Sequence, residues 1–317
     1  MDIKTSRQWM VTHEWMVKPM RQTVWIDGTG LLVWLAEVFS ALGTGLYLVS
    51  LFVNSWWGAL AGWILIVFFK LPFHLFYLGK PLRFWRAIPP FTKAWKTSWL
   101  ARGMFFTLVF SVFALIQLVT TYLLDHGVLA SSAVDSVTAL DWAVRILAGL
   151  FAVLTGIYAG FAMSYCRSIP FWNTGLLPIV FVVMAVADGL ALVMVAGLIG
   201  NGIDINAVES ASRVALIVNA LLITTYLVNA SYQSTTAGLS VRELIAGKLA
   251  PAFWIGVVLL GIAAPLVISI VTLFAGEASR PLLVIAIVCH TVGAFALKYC
   301  VLKVGFYRPI LPRVSAY

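Results

Sequence analysis

The chain has 317 residues, 62% of them hydrophobic, with a mean hydropathy of +0.99 and only 10% charged side chains. Soluble domains carry about 25% charged residues, so this composition excludes a soluble globular enzyme and a disordered chain alike. Lys plus Arg number 21 against 12 Asp plus Glu, a net charge of +9, which in so apolar a chain belongs to membrane-flanking loops and not to nucleic-acid binding.

Residues 1–28 contain Trp9, His13, Glu14, Trp15, Lys18, Arg21 and Asp27, with no apolar run ahead of a small-residue cleavage site. They read as a polar N-terminal segment without a cleaved signal. A membrane-spanning helix needs about 20 predominantly apolar residues, and eight such stretches follow, near 29–53, 57–78, 102–124, 139–165, 174–200, 208–233, 250–274 and 281–304. The expected fold is therefore an all-α integral membrane protein with eight transmembrane helices. An even number of crossings places both termini on one side.

Basic residues mark that side. Lys4, Arg7, Lys18, Arg21, Lys80, Arg83, Arg86, Lys93, Lys96, Arg167, Arg242, Lys248, Arg308 and Arg313 flank it, whereas the opposite connectors carry only Arg280. Positive charge stays inside, so the termini and the long 79–101 loop are expected on the cytoplasmic side of a cytoplasmic membrane. Trp56, Trp57, Trp99, Trp172 and Trp254 fall at helix ends, as interfacial aromatics do. Gly58/Gly62 and Gly156/Gly160 have the spacing that lets helices approach closely in lipid. The connectors beginning Gly79-Lys80-Pro81 and Gly247-Lys248 each reach an aromatic pair, Phe84-Trp85 and Phe253-Trp254, a short match pointing to duplication of a four-helix unit.

Ionisable groups inside the bilayer are costly and point to function. Asp141/Arg145 in helix 4 and Glu209/Arg213 in helix 6 have the i,i+4 spacing of self-neutralising pairs. Glu37 in helix 1 and Asp188 in helix 5 have no local partner; each is either bonded to a neighbouring helix or part of a proton path, with Asp141 and Arg145 as further candidates for that path. Haem needs paired axial ligands on facing helices, and only His74 and His290 stand at helical positions; His74 reads as a headgroup-level residue and His290 as a bonded interior one. Cys166, Cys289 and Cys300 have no cluster spacing, and an iron–sulfur centre takes about four thiolates. Neither haem nor an iron–sulfur cluster is expected in this chain.

The densest polar chemistry lies in 79–103: Gly79-Lys80-Pro81-Leu82-Arg83-Phe84-Trp85-Arg86, Pro89-Pro90, Lys93, Lys96, Ser98-Trp99 and Arg102-Gly103. Alternating basic and aromatic residues suit a helix lying on a membrane surface or a docking face for an acidic partner. Nothing in the segment is a nucleophile.

Several runs together resemble one family. They are Leu78 to Arg86, Ser98-Trp99 before Arg102-Gly103, Tyr158-Ala159-Gly160-Phe161, Pro170-Phe171-Trp172-Asn173-Thr174 with Leu177-Pro178, Gly247 to Pro251, and Tyr299 to Gly305. Over residues 30–305 the chain resembles the NrfD/PsrC family of quinone-interacting membrane subunits. The resemblance implies two four-helix bundles, 29–165 holding the quinone site and 174–304, followed by a 305–317 tail. It implies electron exchange between menaquinone or ubiquinone and a four-cluster iron–sulfur subunit, itself bound to a molybdenum or tungsten bis-pterin catalytic subunit in a respiratory complex.

By the same resemblance Tyr158 is the helix-4 tyrosine of the quinone pocket, with its ring expected between Gly156 and Gly160. A polar pair at the mouth of helix 1 matches less directly; Gln22 and Asp27, with Trp25, are nearest, while His13 lies about sixteen residues before the apolar run. Arg83 is assigned to the reduced quinone, and Arg86, Lys93, Lys96 and Arg102 to partner docking. The best-known members turn this face outward; the charge count here argues for inward. Two rival readings are a proton-translocating or transporter protein using Glu37 and Asp188, and a haem b anchor.

Overall fold

The computed structural model describes residues 16–90, 92–200, 202–275 and 279–311. Among them eight helices are long and apolar enough to cross a membrane, so the protein is an all-α, multi-pass membrane protein. The spanning helices are α1 (Leu31–Phe52), α2 (Trp56–Tyr77), α3 (Trp99–Asp125), α4 (Ser131–Ser164), α5 (Leu176–Leu198), α6 (Ile205–Gln233), α7 (Ala252–Ala275) and α8 (Arg280–Lys303).

The largest departure from expectation is α4, which begins at Ser131 and not near 139. Its 34 residues reach about 51 Å at 1.5 Å per residue, well beyond the hydrocarbon thickness. The first two turns carry Asp135, Ser136 and Thr138; they are helical but polar, and so project beyond the apolar layer. Helix α3 likewise starts earlier, at Trp99, where Ser98 caps it by accepting from the Ala101 N–H. The 79–98 segment forms a 3-10 turn over Pro81–Ala87 and a short helix, Lys93–Thr97, separated by Pro89-Pro90. A further helix, Thr235–Ala246, absent from the sequence reading, buries Ala237, Ser240, Val241 and Leu244 along one face.

Packing runs in two rings of the same order. Helix α1 touches α2 and α4, and α3 joins those two; α5 touches α6 and α8, and α7 joins those two. The rings meet chiefly through α1 against α5, with α4 against α5 beside it. Gly45 and Gly189 make that meeting possible: a Cβ on Gly45 would stand 1.7 Å from the Ala185 carbonyl oxygen, and one on Gly189 would stand 2.1 Å from that of Gly45.

The first and last described segments lie on one face, tied by a two-stranded antiparallel pair, β1 (Met20–Arg21) with β2 (Phe306–Tyr307), Met20 opposite Tyr307 and Arg21 opposite Phe306. The buried Gln22 extends the tie: its backbone N–H donates to Gly305 O over 2.9 Å, and its side-chain amide donates to Leu302 O and accepts from the Trp25 N–H. The α4–α5 connector is fixed to the same end. Trp172 donates from its indole to Val301 O over 2.8 Å, and Tyr226 donates to Phe171 O over 2.7 Å.

Candidate functional site

Near the terminal face, five helices each contribute one or two side chains to a buried polar cluster. Glu37 lies in the second turn of α1, Lys70 and His74 in α2, Thr107 in α3, Tyr158 in α4 and Lys298 in α8; none is more than 6% exposed. Six polar groups buried together need internal partners. The Tyr158 hydroxyl donates to Glu37 Oε1 over 3.4 Å, and the Lys70 ammonium donates to the Thr107 hydroxyl while lying 4.9 Å from the centre of the Tyr158 ring. Lys298 sets its ammonium 3.0 Å from the centre of the Phe181 ring. Glu37 feels both lysines, so one carboxylate sits between two ammonium groups.

The local backbone explains two of these placements. Leu65–Lys70 is a π-helical stretch, closed by the Leu71 N–H donating to Ile66 O. Pro72 follows directly and has no N–H for the helix behind it; widening the turn relieves the clash its ring would make. The extra residue turns Lys70 inward, as such bulges do at functional sites. The Tyr158 ring in turn lies on α3, where a Cβ at Gly103 would come within 2.1 Å of Tyr158 Cδ2. The expected seat between Gly156 and Gly160 is not the one found: Gly156 faces Thr44 and Gly160 faces Pro178.

His74, expected at headgroup level, is turned into the interior of the bundle. It is 3% exposed, 6.4 Å from Tyr158 ring centre to ring centre, and among the described residues neither of its ring nitrogens has a hydrogen-bond partner. A buried imidazole without a partner costs about 1–3 kcal/mol, so this orphan marks where a polar group from outside the chain fits. A tyrosine hydroxyl, an imidazole N–H and two ammonium groups beside one carboxylate suit a planar dicarbonyl that gains negative charge on reduction and needs protons at its oxygens.

The other sequence candidates lie elsewhere. Gln22 is spent on the terminal tie to Leu302 and Asp27 pairs with Lys303, so both bind the end of α8, while Trp25 packs edge-on to Trp172 of the α4–α5 connector at 5.3 Å. Arg83 and Arg86 are exposed on the 3-10 turn, and Lys93 and Lys96 belong to the short surface helix. Arg102 is inside α3: it donates to Trp95 O over 3.0 Å and to Lys96 O over 2.6 Å and covers the Trp99 ring, closing the end of that short helix. His13 lies outside the described residues.

At the opposite face, Asp141 accepts from the Thr120 and Thr121 hydroxyls over 2.6 and 2.7 Å and pairs with Arg145 at 3.6 Å. A cavity of about 250 Å3, lined by Asn54, Gln117, Thr121, Asp125 and Arg145, opens beside them. Asp188 meets His290 at 2.9 Å on α8, the neighbouring-helix bond that was one of its two expected fates. Lys70 and Lys298 escaped the sequence reading, and His74 was read only as a headgroup-level residue. Lys70 and His74 stand in the last turns of an apolar run, where long side chains ordinarily reach the interface, and Pro72 between them was the one available signal.

The model of the family described as "Polysulphide reductase, NrfD" matches residues 31–309. The C subunit of polysulfide reductase from Wolinella succinogenes is 25% identical over 241 residues, covering 73% of this chain and 75% of that protein. Protein NrfD of Escherichia coli is 23% identical over 249 residues, covering 73% and 76%. The NrfD homolog of Haemophilus influenzae is 22% identical over 167 residues, covering 51% and 52%. With nearly every spanning residue inside the family match, the chain belongs to the NrfD family of polysulphide reductase membrane subunits.

Proposed function

We propose that this chain is the quinone-reactive membrane subunit of a respiratory complex, exchanging electrons between menaquinone or ubiquinone and an iron–sulfur subunit that serves a molybdenum or tungsten bis-pterin catalytic subunit. The first four helices, 29–165, hold the quinone site in this reading, and 174–304 form the second unit. The observation that carries it is the orphaned imidazole of His74 beside Tyr158, Lys70 and Glu37. The name of the Wolinella relative, one polypeptide of a polysulfide reductase, supports a subunit within a larger redox assembly.

The quinone supplies two-electron, two-proton chemistry; the chain's own residues supply position and protons. With quinone in place the Tyr158 hydroxyl turns its one hydrogen from Glu37 to a ring oxygen, His74 donates to the ring, Lys70 stabilises negative charge developing there, and Glu37, next to the Tyr158 hydroxyl, is the group that takes up and passes on a proton. Gln22 and Asp27 fix the terminal strap to the end of α8, and Trp25 packs that strap on Trp172. Arg83, Arg86, Lys93 and Lys96 face the electron-carrying partner, and Arg102 shapes that face through the short helix it caps. Positive charge on this side supports a cytoplasmic location for it.

Tyr158→Phe tests the site in the purified complex. A hydrogen bond to a group that becomes charged is worth about 1.5–3 kcal/mol, or roughly 10- to 150-fold. Quinone-linked turnover is expected to fall by that factor while turnover with an artificial dye persists. Unchanged activity with both acceptors removes Tyr158 from the site.

A further inference from the structure

At the face opposite the Tyr158 cluster, the first unit holds a polar cavity for which quinone binding gives no use. It encloses about 250 Å3 where α1 and α3 end and α2 begins, against the side of α4, and Ser50, Asn54, Ser55, Gln117, Asp125 and Arg145 stand in its wall. A water takes about 30 Å3 of liquid volume, so the space fits several waters or one small polar group. Its wall is specially shaped. Asn54, at φ +51°, is the one residue other than glycine in the left-handed region among the described residues. Strain of this kind is kept where it places a side chain, and Asn54 Oδ1 accepts from Arg145 Nη1 over 3.0 Å.

The hydrogen bonds of the wall leave particular groups over. Gln117 is used at both ends, accepting from the Tyr47 hydroxyl over 2.9 Å and donating to Thr121 over 2.8 Å, and Thr121 donates onward to Asp141. Arg145 gives Nη1 to Asn54 and turns Nη2 to Asp141 at 3.6 Å. Its Nε–H has no partner among the described residues, and neither has the hydroxyl of Ser50, a side chain 1% exposed. Two unmatched donors in one wall, one of them cationic, suit an oxyanion. The opposite charge stands at the edge: Asp125, the last residue of α3, is exposed and has no ion pair among the described residues. A phosphate alone would leave Asp125 unmatched and set a second negative charge beside it; a phosphate carrying an amine satisfies both. The rim is aromatic. Trp142 lies 5.4 Å from the Arg145 guanidinium, and Trp56, in the wall, meets Trp57 and Tyr122. Trp57, Trp142 and Tyr122 are all exposed, and such rings belong at headgroup level.

We propose that this cavity binds the headgroup of phosphatidylethanolamine from the leaflet opposite the termini. The phosphate accepts from Arg145 Nε and from the Ser50 hydroxyl, and the primary ammonium pairs with Asp125 at the mouth. The acyl chains leave past the exposed tryptophans, Trp57 and Trp142. Selectivity follows from the same chemistry. A choline headgroup has no N–H to give Asp125, and a glycerol headgroup has no positive charge to set against it. The bound lipid ties the α1–α2 connector, through Asn54 and Arg145, to the ends of α3 and α4. The inference is independent of the reading of the Tyr158 cluster as a quinone site, and its rival is a cavity filled with water alone.

The test measures binding of three lipids to the full chain in detergent: phosphatidylethanolamine, phosphatidylcholine and phosphatidylglycerol, each with a fluorophore in its acyl chain. For the parent, phosphatidylethanolamine is expected to bind at least about tenfold more tightly than either of the others, since a hydrogen bond to a charged group is worth about that factor or more. Asp125→Asn is expected to abolish the preference over phosphatidylglycerol without weakening phosphatidylglycerol itself. Ser50→Ala is expected to weaken both by about tenfold, a loss that lipid lying only on the outer surface would not register at so buried a residue. Neither change removes a hydrogen bond or ion pair made by these side chains among the described residues, and a shift in selectivity is not what misfolding produces. Equal affinity for the three lipids in the parent overturns the proposal, as do affinities that both substitutions leave unchanged. Displacement of the tagged phosphatidylethanolamine by soluble phosphoethanolamine at similar concentrations overturns the lipid as the source of the headgroup. Absence of saturable binding by any of them leaves the cavity to water and overturns the site.

Discussion

Tyr158 owes its position to a residue with no side chain. Its ring rests on Gly103, with the Lys70 ammonium 4.9 Å from its centre, so the phenol is clamped between α3 and α2. A methyl group at 103 would fall 2.1 Å from Cδ2, far inside contact distance, and the ring must give way. Because a shift of about 1 Å at a reacting centre can cost 100-fold, Gly103→Ala is expected to lower quinone-linked turnover at least about tenfold in a complex that still assembles and reduces dyes. Retained quinone activity in that variant would mean the ring position is not what matters. His74 gives the complementary case. Its ring nitrogens have no hydrogen bond to lose among the described residues, so His74→Leu, which keeps the space filled, is expected to leave thermal stability within about 1 kcal/mol while raising KM for quinone, as steady-state kinetics over a range of quinone concentrations will show. Of this cluster, Tyr158 and Glu37 were visible in the sequence, the first by resemblance and the second as a lone acid in an apolar run. The rest is a convergence of five helices, each supplying one or two residues, and no spacing along a chain encodes such a meeting.

Among the elements, the irregular turns carry the polar chemistry and the regular ones carry the packing. The π-helical stretches, Leu65–Lys70 and Ala252–Ala263, each lie just ahead of a proline, Pro72 and Pro265. One turns Lys70 into the cluster; the other presents the Gly261 carbonyl to His290. Hydropathy located all eight spans because every one is a long apolar run, yet it misplaced the start of α4: it reports where the membrane is, and the polar first turns of α4 lie outside it. It also passed over Thr235–Ala246, whose amphipathic pattern is too short and too polar to register as a span. The contact between the two rings is the most demanding piece of packing. Gly45 and Gly189 bring α1 and α5 backbone to backbone, and a Cβ at 45 would stand 1.7 Å from a main-chain oxygen that cannot swing aside. Overpacking in a well-filled core costs about 1–3 kcal/mol, and here backbone must move. Gly45→Ala is thus expected to destabilise by at least about 2 kcal/mol, read as a lower Tm of the detergent-solubilised protein. Gly79→Ala, with open space around its Cβ position, is expected to leave the Tm unchanged.

At the scale of the whole molecule, the two faces differ in charge and in construction. The terminal face carries the strap, the 3-10 turn and short helix of the 79–98 segment, and nearly all the basic residues of the connectors. The other face carries Asp125, Asp204 and Arg280 among its described residues. Several motifs behind the family resemblance belong to the construction of the first face. Trp172 and Phe171 bond the ends of α8 and α6, and Arg102 with Trp99 closes the short helix. The Tyr158 cluster lies near this platform; on the proposed quinone reading the electron-carrying partner docks there, and the sidedness of the molecule decides which compartment that partner occupies. Exposed positions exist to read it: Leu82 is 89% exposed on the 3-10 turn and Val128 is 64% exposed at the far end of α3. Cysteine introduced at Val128 is expected to react with a membrane-impermeant maleimide in intact spheroplasts, and cysteine at Leu82 only in inverted vesicles, each scored against the parent with its own Cys166, Cys289 and Cys300. The reverse pattern would turn the platform outward in spite of its positive charge. In inverted vesicles holding the full complex, Leu82→Cys is further expected to lose its labelling, because the electron-carrying partner then covers the turn. Labelling that is equal with and without the partner would place docking elsewhere and separate the basic loop from electron transfer.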